Sequence, residues 1–138
     1  CTSFKGELLG GTHDLDTNTI KIALIKSGES GTYGAATTNY SNVTGNSDEA
    51  SGTNYSSGGN TLASAAISTS GTTALLDFAD TTWSNATISA AGAVIYNSSQ
   101  SNKAIAVISF GGTVASTAGD FTVSFPAADA SNAIVRIA

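Results

Sequence analysis

Residues 75–110 read LLDFADTTWSNATISAAGAVIYNSSQSNKAIAVISF. The stretch holds the chain's one tryptophan, Trp83, and two apolar runs, Ala91–Tyr96 (AGAVIY) and Lys103–Phe110 (KAIAVISF), separated by the polar residues NSSQSN. Two β-branched runs joined by turn formers predict an antiparallel hairpin with a longer loop. In the second run Ile105, Val107 and Ser109 share one face, and Ala104, Ala106, Ile108 and Phe110 share the other. Both faces are largely apolar, which predicts a strand in the middle of a sheet or beneath a partner subunit. Upstream, Ala74, Leu76 and Phe78 alternate onto one face. Trp83 follows a turn-like DTT and is expected to anchor the core together with Phe78, Phe110, Phe121 and Phe125.

Moving outward, residues 19–26 (TIKIALIK) alternate cleanly, with Ile20, Ile22 and Leu24 on one face. Residues 60–67 (NTLASAAI) predict a further strand, turned by STSGTT at 68–73 into an antiparallel partner at 74–78. Residues 111–120 (GGTVASTAGD) read as a loop. Residues 120–125 (DFTVSF) alternate up to Pro126, the only proline, where a strand stops, and residues 133–137 (AIVRI) predict the last strand. About seven or eight short strands in antiparallel order predict an all-β domain, an antiparallel β-sandwich of jelly-roll type. The N-terminal SFKGELL predicts a short helical segment that Gly10 and Gly11 end, with Phe4, Leu8 and Leu9 on one face. A helix this short must dock on something, so residues 1–11 are read as a docking segment. Residues 27–59 are rich in Gly, Ser and Thr and carry Tyr33, Tyr40 and Tyr55. They read as a long exposed loop, with a short strand at Thr38–Val43, whose tyrosines cover the sandwich edge or meet another subunit.

The 138 residues bound a single domain, 1–138. Charged residues are only 11% and the net charge is −5. The cations Lys5, Lys21, Lys26, Lys103 and Arg136 are scattered, so no basic patch points to nucleic acid or to an anionic membrane, and no apolar run reaches the length of a membrane helix. The chain contains no methionine; we expect Cys1 to lie a few residues into a longer chain. One cysteine and one histidine, His13, do not make a Cys/His zinc cluster within one chain, and no nucleophile elbow accompanies His13. Asp14-Leu15-Asp16-Thr17-Asn18 opens like a calcium loop, yet Thr19 and Ile25 stand where glycine and glutamate are required. No catalytic, metal or cofactor site is expected, and the chain is read as non-enzymatic.

A resemblance rests on the order of several blocks: residues 4–25 (FKGELLGGTHDLDTNTIKIALI), 51–62 (SGTNYSSGGNTL), 75–97 (LLDFADTTWSNATISAAGAVIYN), 102–111 (NKAIAVISFG), 119–126 (GDFTVSFP) and 133–138 (AIVRIA). Together they resemble a family of small virion structural proteins of tailed bacteriophages. The resemblance implies a capsid decoration, or cement, protein on the outer surface of the phage head. Its implied partners are the major capsid protein and neighbouring copies of itself, as a dimer or trimer. On that expectation Phe4, Leu8, Leu9, Tyr33, Tyr40 and Tyr55 would make contacts between subunits or with the capsid. Two alternatives stay open: a tail- or fibre-associated module that stacks its aromatic residues on a host glycan, and a self-assembling filament subunit.

Overall fold

A computed structural model describes residues 1–138. The apolar β-branched run of residues 20–26 forms the strand around which everything else is layered. In chain order the elements are α1 (Thr2–Leu9), β1 (Ile20–Lys26), α2 (Ser41–Gly45), β2 (Asn60–Thr61), β3 (Ala66–Ser70), β4 (Thr73–Asp77), β5 (Thr81–Asn97), β6 (Lys103–Val123) and β7 (Val135–Ile137). They make two antiparallel sheets, one in the order β2-β1-β5-β6 and the other β3-β4-β7. The all-β sandwich read from the sequence is therefore the fold.

β1 buries both of its faces, which makes the four-stranded sheet the middle of three layers. Ile20, Ile22 and Leu24 join Ile95, Ile105, Trp83, Phe121, Leu76, Phe78 and Phe4 in a core between the two sheets. Ala23 and Ile25 point the other way and pack with Val43, Val94, Tyr96 and Ala104 under the 27–59 segment. Register follows from this pattern: Ile22 lies opposite Ile95 and Val94 opposite Val107, so each face presents like residues to its own layer.

The seven strands match the expected count, but two of them are far longer than the sequence suggested. The turn expected at DTT is the start of β5, which runs 17 residues, and the loop expected at 111–120 lies within β6, which runs 21. Trp83 sits opposite Phe121, and Ala90 opposite Val114. The outward residues here are Ser, Thr and Asn, so half of each strand reads like a loop. The glycine-rich stretch marks irregularities in the ladder and not its end. Extra residues are taken up at four register shifts, and Gly111 and Ala118 have positive φ. Such bulges bend a paired strand without ending it.

Three further expectations are corrected. β6, with its two apolar faces, is an edge strand of its sheet. Its first residues are covered within the chain instead: Ala104 N–H donates to Thr38 O at 3.0 Å, and Tyr40 N–H donates to Asn102 O at 2.9 Å. The strand expected at Thr38–Val43 becomes a single bridge at Asn39 followed by helix α2. There the Asn42 side chain accepts from the amides of Thr38 and Asn39, a local bond that competes with a ladder. The strand expected at 60–67 is two strands in different sheets. Ser64, at φ 55°, turns the chain across, and Leu62 is buried between the sheets. The predicted hairpin into β4 is present. Its two-residue turn begins with Gly71 at φ 60°, the left-handed conformation tight hairpins require.

Candidate functional site: a cap held by two carboxylates

Residues 27–59 are not a free loop. The backbone of Asp48–Ala50 runs beside the end of β1, with Lys26 N–H donating to Asp48 O at 2.8 Å and Ala50 N–H to Leu24 O at 2.9 Å. Extended backbone sends successive side chains to opposite sides, and each carboxylate gathers a separate set of donors. Asp48 is fully buried and accepts from the Ser30 amide and hydroxyl, the Gly31 amide at 2.8 Å and the Tyr33 hydroxyl at 2.5 Å. Lys26 Nζ lies 3.1 Å away. Glu49 accepts from the Tyr40 hydroxyl at 2.6 Å, Ser57 Oγ at 2.7 Å, the Gly58 amide at 2.6 Å and the Tyr55 hydroxyl at 3.0 Å. The two acids thus tie both halves of the segment to β1.

The electrostatics follow from this arrangement. The Tyr33 hydroxyl, the Ser30 and Gly31 amides and Lys26 hold the Asp48 carboxyl far below the usual carboxylate range, outweighing burial. Burial pushes the Tyr55 and Tyr96 phenols well above their ordinary value, and for Tyr55 the nearby Glu49 carboxylate adds to it. Tyr33 and Tyr40 are raised by burial first and then by their own acid partners. Phenols in this state remain donors to their carboxylates.

The tyrosines expected at an interface therefore turn their hydroxyls inward. Tyr40 stacks on Tyr96 with ring centroids 4.5 Å apart, and Tyr55 lies 5.8 Å from Trp83. Phe4, also expected at an interface, is buried in its own chain's core, 5.1 Å from the His13 ring. A face of α1 that meets β6 has no other place to put a large aromatic group. Leu8 is half-buried, and Leu9 alone of the three stands free, 91% exposed. Of the expected core anchors, Trp83, Phe78 and Phe121 are buried. Phe110 and Phe125 are only half-buried, because they stand at the open margin between the sheets, lining a hollow of about 330 Å³ with Ile108 and Ile134.

His13 is buried at the base of α1. Its Nε2 lies 3.0 Å from Glu7 Oε2, and the Asn97 side-chain amide donates to its Nδ1 at 3.1 Å. Nδ1 is thus the acceptor, and the ring proton sits on Nε2 and is donated to Glu7. Lys103 Nζ binds the other Glu7 oxygen at 2.6 Å and, with His13, holds that carboxyl below its ordinary value. Asn97 also donates to Asn18 Oδ1 at 2.7 Å. This chain of bonds fastens α1 and the 13–18 link to the β5–β6 hairpin. The nitrogen that would take a proton from a substrate faces a buried amide. Substituting Glu7→Ala should therefore speed hydrogen exchange of the α1 amides and leave those of β1 and β5 unchanged.

Asp14 Oδ1 accepts from the amides of Asp16 and Thr17, so the DLDTN motif is a turn closed on itself. No group of three or more His, Cys, Asp or Glu side chains is placed to hold a metal ion. No helix is long and apolar enough to cross a membrane. Sequence reasoning missed Asp48 and Glu49. Their signal was there: they are the only carboxylates between Glu29 and Asp77, side by side in a segment with three tyrosines. The chain matches no family model, no curated protein and no solved structure.

Proposed function

We propose that the chain is a non-enzymatic structural subunit of a tailed-phage particle, a decoration protein on the outer surface of the head that binds the major capsid protein and copies of itself. The order of sequence blocks supports the virion assignment. The observation that carries the structural role is the use made of four inward ionisable groups, in contrast to Asp77, whose Oδ1 is buried without a partner. Asp48, Glu49, Glu7 and His13 are saturated by donors and acceptors of their own chain. A catalytic acid or base needs a face open to substrate; here Asp48 and Glu49 instead stiffen a segment that would otherwise be a long loop, and Glu7 and His13 fasten α1 to the β5–β6 hairpin. A stiff outer layer of constant shape suits contacts repeated many times over a shell.

The glycan-binding alternative would use exposed aromatic faces. Trp83 is 4% exposed and the three cap tyrosines are engaged with Glu49 and Asp48, which leaves the subunit reading the better supported. A cryo-EM reconstruction of the native particle containing this chain tests it. Many copies on the icosahedral shell, touching major-capsid subunits, is the expected result. A few copies confined to a tail vertex, or a free filament, would reject it.

A further inference from the structure

The outer face of α1 is built at odds with its own chain. Thr2, Lys5, Gly6 and Leu9 are its exposed residues, spaced as one side of a helix. Glycine inside a helix is unfavourable relative to alanine, and here nothing within the chain requires it: a Cβ on Gly6 would meet no atom within 4 Å, and its φ is not positive. Leu9, one turn further on, is 91% exposed, the most exposed large apolar side chain of the molecule. A glycine with open space before it, beside a protruding leucine, leaves room for another backbone to come close.

Beside the first turn of the same helix lies an apolar depression of about 260 Å³, floored by Phe4, Ile105, Ile134 and Val135, with Lys5 and Arg136 at its rim. An apolar cavity of about 150 Å³ holds a benzene molecule, so a leucine side chain fits. Neither rim cation takes part in the chain's ion pairs, which use Lys26 and Lys103, and Arg136 donates to Ala130 O at 2.8 Å. The segment that carries Leu9 has the opposite character. From Gly6 to Ile20 it contains no lysine or arginine, and with Glu7 bound to Lys103 its acids outside an ion pair are Asp14 and Asp16. Leu9 lies about 6 Å along the helix axis from Lys5, so a two-fold axis near Gly6 would place the acidic, leucine-bearing end of one helix over the cationic, apolar end of another.

We propose that this face of α1 associates with a second copy of the chain, Leu9 of each copy seated in the depression of the other and the two helices antiparallel across Gly6. Such an isologous contact satisfies both copies at once and closes as a dimer. The proposal rests on the subunit reading for its partner, and its test is separate from that reading because it is made in free solution.

The experiment is analytical ultracentrifugation of the full chain over a concentration series, with Leu9→Ser, Gly6→Ala and Gly6→Leu. The wild type is expected to dimerise. Leu9→Ser, which removes two buried leucines per dimer, should raise the dissociation constant by roughly a hundredfold or more. Leu9 is exposed in the monomer, so this variant keeps its fold. Gly6→Ala should raise the thermal midpoint of the monomer, as a helix-favouring change in open space, and weaken the dimer; Gly6→Leu should abolish it. That opposite movement of stability and association is not expected of a residue important only to its own fold. A wild type that stays monomeric throughout, or a dimer that Leu9→Ser and Gly6→Leu leave intact, overturns the proposal. A monomeric wild type whose Leu9→Ser variant loses its place on the shell also overturns it, giving this face to a capsid partner while the subunit reading survives.

Discussion

Gly59→Ala should leave little folded protein, with a loss of stability above about 4 kcal/mol in urea titration. Gly59 has φ 65°, which alone would cost an alanine about 1–2 kcal/mol. Steric overlap costs more. The added Cβ would stand 1.9 Å from Ile22 O, 2.7 Å from Ile22 C and 2.8 Å from Ala23 Cα. Those are backbone atoms of the central strand, and neither partner can give way. Ile22 and Ala23 are fully buried, and β1 is paired to β5 along its length. If the glycine moves instead, the chain around it loses the Gly58 amide bond to Glu49, the Tyr96 hydroxyl bond to Gly58 O and the short β2–β1 pairing.

Gly28→Ala is the control that separates backbone strain from steric overlap. Gly28 also has positive φ, 72°, but a Cβ there would meet no atom within 4 Å. It should cost only the conformational penalty. If Gly59→Ala proves no worse than Gly28→Ala, the close approach of the cap to β1 is wrong, and with it the account of how the cap is seated.

The cap also marks where sequence reading ends. The alternation in residues 20–26 and 103–110 was legible because each side chain's face is set by backbone period alone. Trp83 was legible as core because a large aromatic group between strands has few other places to go. The layer under the cap was not. Val43, Tyr40 and Tyr96 meet there from residues far apart in the chain, and nothing local to Ser41–Gly45 announces a buried helical turn. The edge position of β6 was hidden for the same reason. α1 packs on the strand and residues 38–40 pair with the edge of its first residues, and both reach it only through the tertiary fold. Phe4 misled because an amphipathic helix has the same pattern whether its apolar face meets its own sheet or another subunit; Gly6 and Leu9, on the opposite face, could be sorted from it only once burial was known.

The second large effect concerns the acid pair. Glu49→Ala should lower stability by about 2–4 kcal/mol, since the hydroxyls of Tyr40, Tyr55 and Ser57 and the Gly58 amide all lose their acceptor in a partly buried site. Glu49→Gln should cost less, because it keeps one carbonyl acceptor and the hydroxyls can rotate to accept from the new amide. Asp48 adds a dependence on pH whose sign is fixed by the direction of its shift. Its carboxyl is held below the value it has in the unfolded chain, so the unfolded state binds the proton more readily. The stabilisation is complete above the unfolded value of about 3.9 and drains away as pH falls toward the much lower folded value. Asp48→Asn, which cannot titrate and offers an amide where the Ser30 and Gly31 amides need an acceptor, should be less stable than wild type at neutral pH. Its unfolding midpoint should also vary less between about pH 4 and pH 2 than that of the wild type. Thermal melts of the two proteins across that range would decide it. Parallel acid limbs would mean that Asp48 is not the group that fastens the cap, and that the segment's rigidity comes from the apolar contact of Val43 with the sheet instead.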